Sequence, residues 1–227
     1  MSTTEENAIE KMIDIGGYRL CVQCAGERTP TVVIQAGLTE GLDPWAAMLP
    51  HVAAFTRVCA YDRAGVGKSD AGPKPRTSQQ MVAELRTLLR NAQIEGPYVL
   101  VGHSLGGLNV QFFAAQYPGE VAGMVLIDSA FHDMLERFEP ILREQWMAIL
   151  KMALESDNEG ITPADFVTSL AQVAAAGKIP DIPLVVLAAG QPMQLPPEFG
   201  AVAADYLRVM QAGQAAFVDE ARGGRPI

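Results

Sequence analysis

The stretch Tyr98-Val99-Leu100-Val101-Gly102-His103-Ser104-Leu105-Gly106-Gly107 decides how this chain is read. Five residues of strand-forming, mostly apolar character run into a serine with a glycine two positions on either side, and a helical pattern starts directly afterwards. A strand that turns sharply into a helix holds the residue at the turn clear of both elements, so a serine there presents its hydroxyl at the strand's carboxyl end. The glycines follow from the same geometry, because strand and helix approach too closely at such a turn for most side chains.

Working outward, residues 12–15 and 18–24 form two short runs joined by Gly16-Gly17, the pattern of a β-hairpin. Residues 31–35 are a continuous β-branched run, suited to a strand buried on both faces, and they end at Gly37-Leu38. Residues 44–54 carry a helical pattern that Pro50 is expected to kink or shorten. Residues 57–61 form the next strand and lead into Asp62-Arg63-Ala64-Gly65-Val66-Gly67-Lys68-Ser69. Thr77, with Gln80 three positions later, has the spacing of a capping box ahead of a helix whose buried stripe is Met81, Leu85, Leu88 and Leu89. A helix over 104–116 is stopped by Pro118; strands follow at 121–128 and 183–189, and 197–221 reads as largely helical.

Between the last two strands the rhythm lapses. Leu135, Phe138, Leu142, Trp146, Ile149 and Leu150 repeat at helical spacing, and Thr162-Pro163-Ala164-Asp165 reads as an N-cap with proline in the first turn. This block is expected to pack on the core, to cover the serine as a lid, or both. Strands alternating with helices give an α/β fold, a mainly parallel sheet with helices on both faces. Such sheets bind ligands beyond the carboxyl ends of their strands, where Gly37, Asp62, Ser104 and Asp128 all fall.

Composition narrows the classes. The chain has 227 residues, 49% hydrophobic and 19% charged, and reads as one globular domain. A net charge of −9 argues against nucleic-acid partners and against an anionic membrane surface. The first residues are polar and acidic and no apolar run reaches transmembrane length, so the expected location is the cytoplasm. Three cysteines suggest no disulfide framework. Cys21 and Cys24 lie three apart on a strand and point to opposite faces, so they read as buried apolar residues rather than a metal or redox pair.

Taken together, Gly102-His103-Ser104-Leu105-Gly106-Gly107, the Asp62-to-Ser69 loop and Gly37-Leu38 resemble the α/β-hydrolase family, over nearly the whole chain and in the family's order. The nearest likeness is to serine esterases with a helical lid, which here would be residues 130–180 within a single domain spanning 1–227. The resemblance implies Ser104 as nucleophile, the backbone N–H groups of Leu38 and Leu105 as oxyanion donors, and a small-molecule carboxylic ester as substrate. It implies no cofactor and no metal. Asp62 and Arg63 read as organisers of their loop through an ion pair. In this family the acid follows the sixth or the seventh strand. No carboxylate stands in 186–194, so Asp128 is the candidate acid.

The family's histidine, in a loop after an eighth strand, has no counterpart before Ile227. The chain therefore reads as lacking the C-terminal strand, histidine loop and last helix, either with Arg225-Pro226-Ile227 as the start of a missing strand or as a natural short form whose base comes from elsewhere. His103 precedes the serine and is expected to point away from it. His51 has no catalytic neighbour, and His132 is left as a weak substitute base. Two functions follow: a serine hydrolase working through an acyl-enzyme on Ser104, or an impaired or non-catalytic hydrolase-like chain. A sheet edge left open by the missing strand is expected to pair with a second copy.

Overall fold

The computed structural model describes residues 9–155, 159–195 and 197–221, without the side chains of 141–143, 146, 155, 198, 220 and 221. Leu142, Trp146 and the 225–227 tripeptide thus lie outside what is described. Its strands are β1 (Ile9–Asp14), β2 (Arg19–Ala25), β3 (Thr31–Gln35), β4 (Val58–Tyr61), β5 (Tyr98–His103), β6 (Val121–Ile127) and β7 (Leu184–Leu187). They form one sheet in the order β1-β2-β4-β3-β5-β6-β7. The first hairpin and its pairing to β4 are antiparallel, and every pairing from β4 through β7 is parallel.

Alternation along the strands divides the interior into two layers. Val33, Leu100, Met124 and Leu126 face the thicker layer, built with α2 (Ser78–Asn91), α3 (Leu105–Gln116) and α5 (Pro163–Ala176). Val32, Ile34, Val58, Ala60 and Val101 face the other, closed by Trp45 and α1 (Leu49–Ala53). Residues 105–114 of α3 are all buried; most are apolar, and the two polar ones are hydrogen-bonded inside, Asn109 to Ser78 and Gln111 to Ser129 and Ala130. Two further helices, α4 (Met134–Glu155) and α6 (Ala203–Ala221), pack on each other beyond the carboxyl ends of the strands. The β7 edge leaves Val185 and Leu187 about half exposed.

The α5 helix packs on α2 and α3 through Phe166, Leu170 and Val173, and Ser169 Oγ accepts the Ser78 N–H at 2.8 Å. The expected N-cap is present: Thr162 and Asp165 close a full capping box. That at Thr77 is not. Its side chain makes no cap bond; α5 caps this end instead, Ser169 Oγ accepting the Ser78 N–H and Gln172 Oε1 the Gln79 N–H at 2.9 Å, while Gln80 turns to Glu84 at 3.0 Å. Pro50 shortens its helix rather than kinking it: the helical run over 44–54 is reduced to α1, with Pro50 in the first turn, where its missing N–H costs nothing.

The reading of Cys24 as apolar filler is corrected. Antiparallel register sets Cys24 directly opposite Cys59 on β4, and the two form a disulfide. Cys21 remains a free, fully buried thiol, and burial pushes its pKa up to about 11.

Candidate active site

Ser104 sits between β5 and α3 with φ +49° and ψ −117°, a backbone conformation that L residues other than glycine rarely adopt. Hydrogen bonds on both sides hold it there. Its N–H donates to Ile127 O at 3.1 Å, and its carbonyl accepts from Gly107 N at 3.0 Å and Ala130 N at 3.1 Å. The flanking glycines are required sterically. A Cβ on Gly102 would lie 2.6 Å from Gly107 Cα, and one on Gly106 would lie 2.1 Å from Gln35 O. Gly107 is equally constrained, with Ser129 Oγ 2.1 Å from where its Cβ would stand.

The serine opens into a cavity of about 290 Å³ that Leu38, Leu105 and Asp128 also line, so four sequence-derived site residues meet there. Apolar side chains from α4, α5 and α6, among them Met134, Leu150, Phe166 and Met210, close it. Neither the Leu38 N–H nor the Leu105 N–H has an acceptor among the described residues. Asp128 also has positive φ, +42°, at the end of β6, and its Oδ1 accepts from Gln214 Nε2 of α6 at 3.0 Å. Burial pushes the phenol of Tyr206, on the cavity wall, above its ordinary range, and the nearby Asp128 carboxylate adds to this.

His103 lines the same cavity, but its described partners are Glu40 and Trp45, not Ser104. Its Nδ1 lies 2.7 Å from Glu40 Oε2, and its ring meets Trp45 edge-on at 6.2 Å. The same Glu40 oxygen accepts the Gly37 N–H at 2.8 Å. Glu40 is a site residue that sequence reading missed; a carboxylate three residues past Gly37 is its only local signal. Its burial favours the neutral acid, but the His103 bond and the Gly37 N–H outweigh this and hold the carboxyl below the usual range.

A depressed carboxyl stabilises the fold above its unfolded pKa of about 4.3, and that contribution is lost as pH falls through the lower folded value. The wild-type melting temperature should therefore drop more steeply between about pH 5 and pH 3 than that of Glu40→Gln. Parallel curves would remove Glu40 from the acid response.

His132 is not brought to the serine. It lines a separate cavity of about 110 Å³ with Gln111, Val173, Lys178 and Phe217. His51 is exposed on α1. The expected pairing of Asp62 with Arg63 is also corrected. Asp62 accepts the N–H groups of Leu42 at 2.7 Å and Lys68 at 2.9 Å, which organises the loop without a cation. Arg63 turns the other way and pairs with Glu159. Among the described residues no cluster of His, Cys, Asp or Glu is placed to hold a metal ion. No described helix is long and apolar enough to cross a membrane.

This arrangement of sheet, elbow and cavity defines an α/β hydrolase. Residues 30–196 match the alpha/beta hydrolase fold family, and the chain belongs to it. It is 32% identical over 186 residues to YqjL of Bacillus subtilis, covering 81% of this chain and 71% of that protein. It is also 37% identical over 92 residues to a vacuolar membrane protein of Saccharomyces cerevisiae, of which it spans only 14%. Among solved structures, Cfl2 of Burkholderia cenocepacia superposes with a TM-score of 0.62 at 20% identity, covering 95% of each chain. The haloalkane dehalogenase DatA of Agrobacterium tumefaciens gives 0.61 at 13% identity, covering 94% of each.

Proposed function

We propose that this hydrolase cleaves carboxylic esters through an acyl-enzyme on Ser104. The observation that carries the reading is the serine itself, held at φ +49° at the head of α3, in one cavity with Leu38. Ser104 Oγ adds to the ester carbonyl, and the oxyanion is received by the N–H groups of Leu38 and Leu105. The intermediate collapses to a serine ester as the alcohol leaves with the serine proton; water then releases the acid. Asp128, which lines the same cavity, is the candidate acid of the site. The apolar wall favours a neutral, hydrocarbon-rich acyl group.

A second reading has its own observation. Asp128 is bonded to Gln214 and His103 to Glu40, so no described hydrogen bond joins an imidazole to Ser104. On that reading the serine acylates slowly or once, without turnover. A fluorophosphonate probe and a nitrophenyl-ester assay separate the two. The enzyme reading expects labelling at Ser104 and steady hydrolysis, with Ser104→Ala losing at least about a thousandfold in rate. Labelling without turnover supports the impaired reading, and neither signal from folded protein would sink the enzyme reading and leave a non-catalytic chain. As to location, the Cys24–Cys59 disulfide favours an oxidising compartment over the cytoplasm expected from the sequence.

A further inference from the structure

Arg63 and Glu159 form an ion pair whose side chains are 1% and 0% exposed. Arg63 Nε donates to Glu159 Oε1 at 2.6 Å and one terminal nitrogen to Oε2 at 2.7 Å. The guanidinium does more than pair. Its two terminal nitrogens also donate to the carbonyls of Ala36 and Gly37, the residues where β3 runs out into the loop carrying Leu38. Glu159 reaches the same loop from the other side, accepting the Thr39 N–H at 3.4 Å.

We propose that the Arg63–Glu159 pair is a positioning element that aims the Leu38 N–H into the cavity. It also makes that aim depend on Glu159, just ahead of α5, being seated. The argument rests on peptide planarity. Gly37 C=O and Leu38 N–H belong to one trans peptide unit, so their bonds point in opposite directions. With the Gly37 oxygen drawn into the buried guanidinium, the Leu38 N–H is turned outward, on the side of the cavity that Leu38 and Ser104 both line. The Ala36 carbonyl fixes the preceding peptide in the same way, and its N–H, on Gly37, is taken by Glu40. Only arginine has the planar fork needed to hold two carbonyls and a carboxylate together. Glu159 is 96 residues away in sequence and stands between the two helices that wall the cavity. Moving Glu159 therefore withdraws a carboxylate from Arg63 and the acceptor of Thr39 together.

The claim that this aim serves catalysis rests on the acyl-enzyme reading above. Removing one partner alone would strand a buried charge, so the informative variant replaces both, Arg63→Met with Glu159→Leu, which keeps volume without charge. It should fold, with kcat lowered about 10- to 100-fold and KM within about threefold of wild type, as expected for an oxyanion donor out of place. Amide hydrogen exchange at Gly37, Thr39 and Glu40 should accelerate at least about tenfold, with β6 unchanged. Glu159→Gln keeps an acceptor for the guanidinium and should show the same two changes, smaller. A folded double variant with wild-type kcat and wild-type exchange overturns the proposal. If the double variant does not fold, unchanged kcat and exchange in Glu159→Gln overturn it instead. Should the wild type neither label nor turn over, the acyl-enzyme reading falls by itself, and the exchange at Gly37 and Thr39 still decides whether the pair fixes the loop.

Discussion

Gly106→Ala is expected to lose probe labelling at Ser104 and to lower stability by about 3 kcal/mol or more, while Gly119→Ala does neither. The two substitutions add the same methyl group. At Gly106 the new Cβ would lie 2.1 Å from Gln35 O and 2.5 Å from Ala36 O, both backbone atoms that no rotamer change can move aside. At Gly119 it would meet nothing within 4 Å. Relief at Gly106 requires α3 to back away from the end of β3. That shift separates the two oxyanion donors, since Leu105 moves with α3 and Leu38 stays with the β3 loop. Labelling should therefore fall even in the fraction that remains folded. Thermal unfolding with fluorophosphonate labelling at 20 °C checks both halves, and a folded Gly106→Ala protein that labels at the wild-type rate would refute the close-contact account.

The features legible in the sequence are those whose physics is local. Gly102, Ser104 and Gly106 sit within five residues, and the constraint joining them is one turn. The capping box at Thr162 and the hairpin at Gly16-Gly17 belong to the same kind. The cystine belongs to another, since Cys24 meets Cys59 only through the register of β2 on β4. Arg63 was seen as a loop organiser, but its partner lies 96 residues on, in a stretch with no pattern of its own. The Thr77 spacing is misleading because this helix end is capped from α5, by Ser169 and Gln172, which are distant in sequence. The fate of the Asp128 carboxylate was hidden for a similar reason: Gln214 reaches it from α6, 86 residues later.

A second buried ion pair tests whether burial of charge is a device of the site or of the fold. Arg76 and Glu84 are 0% and 3% exposed, and Glu84 also accepts from Tyr18 Oη at 2.7 Å and Gln80 Nε2 at 3.0 Å. The pair ties the chain ahead of α2 to the middle of that helix and, through Tyr18, to the first hairpin. Arg76→Met leaves the Glu84 carboxylate buried without its cation and should cost about 3–5 kcal/mol, or on the order of 10 °C in melting temperature. Adding Glu84→Leu should restore most of the loss, because the Tyr18 hydroxyl is only part-buried and can turn to water. Among the described residues no hydrogen bond joins this network to the Leu38 loop; its nearest link is from Arg76 to the Ala64 carbonyl at 3.5 Å, one residue past Arg63. At 20 °C the folded Arg76→Met protein should accordingly label at Ser104 as fast as wild type, which loss of the Arg63–Glu159 pair should not allow. Slowed labelling in folded Arg76→Met would mean that the two buried pairs act through one rigid unit, and that neither belongs to the site alone.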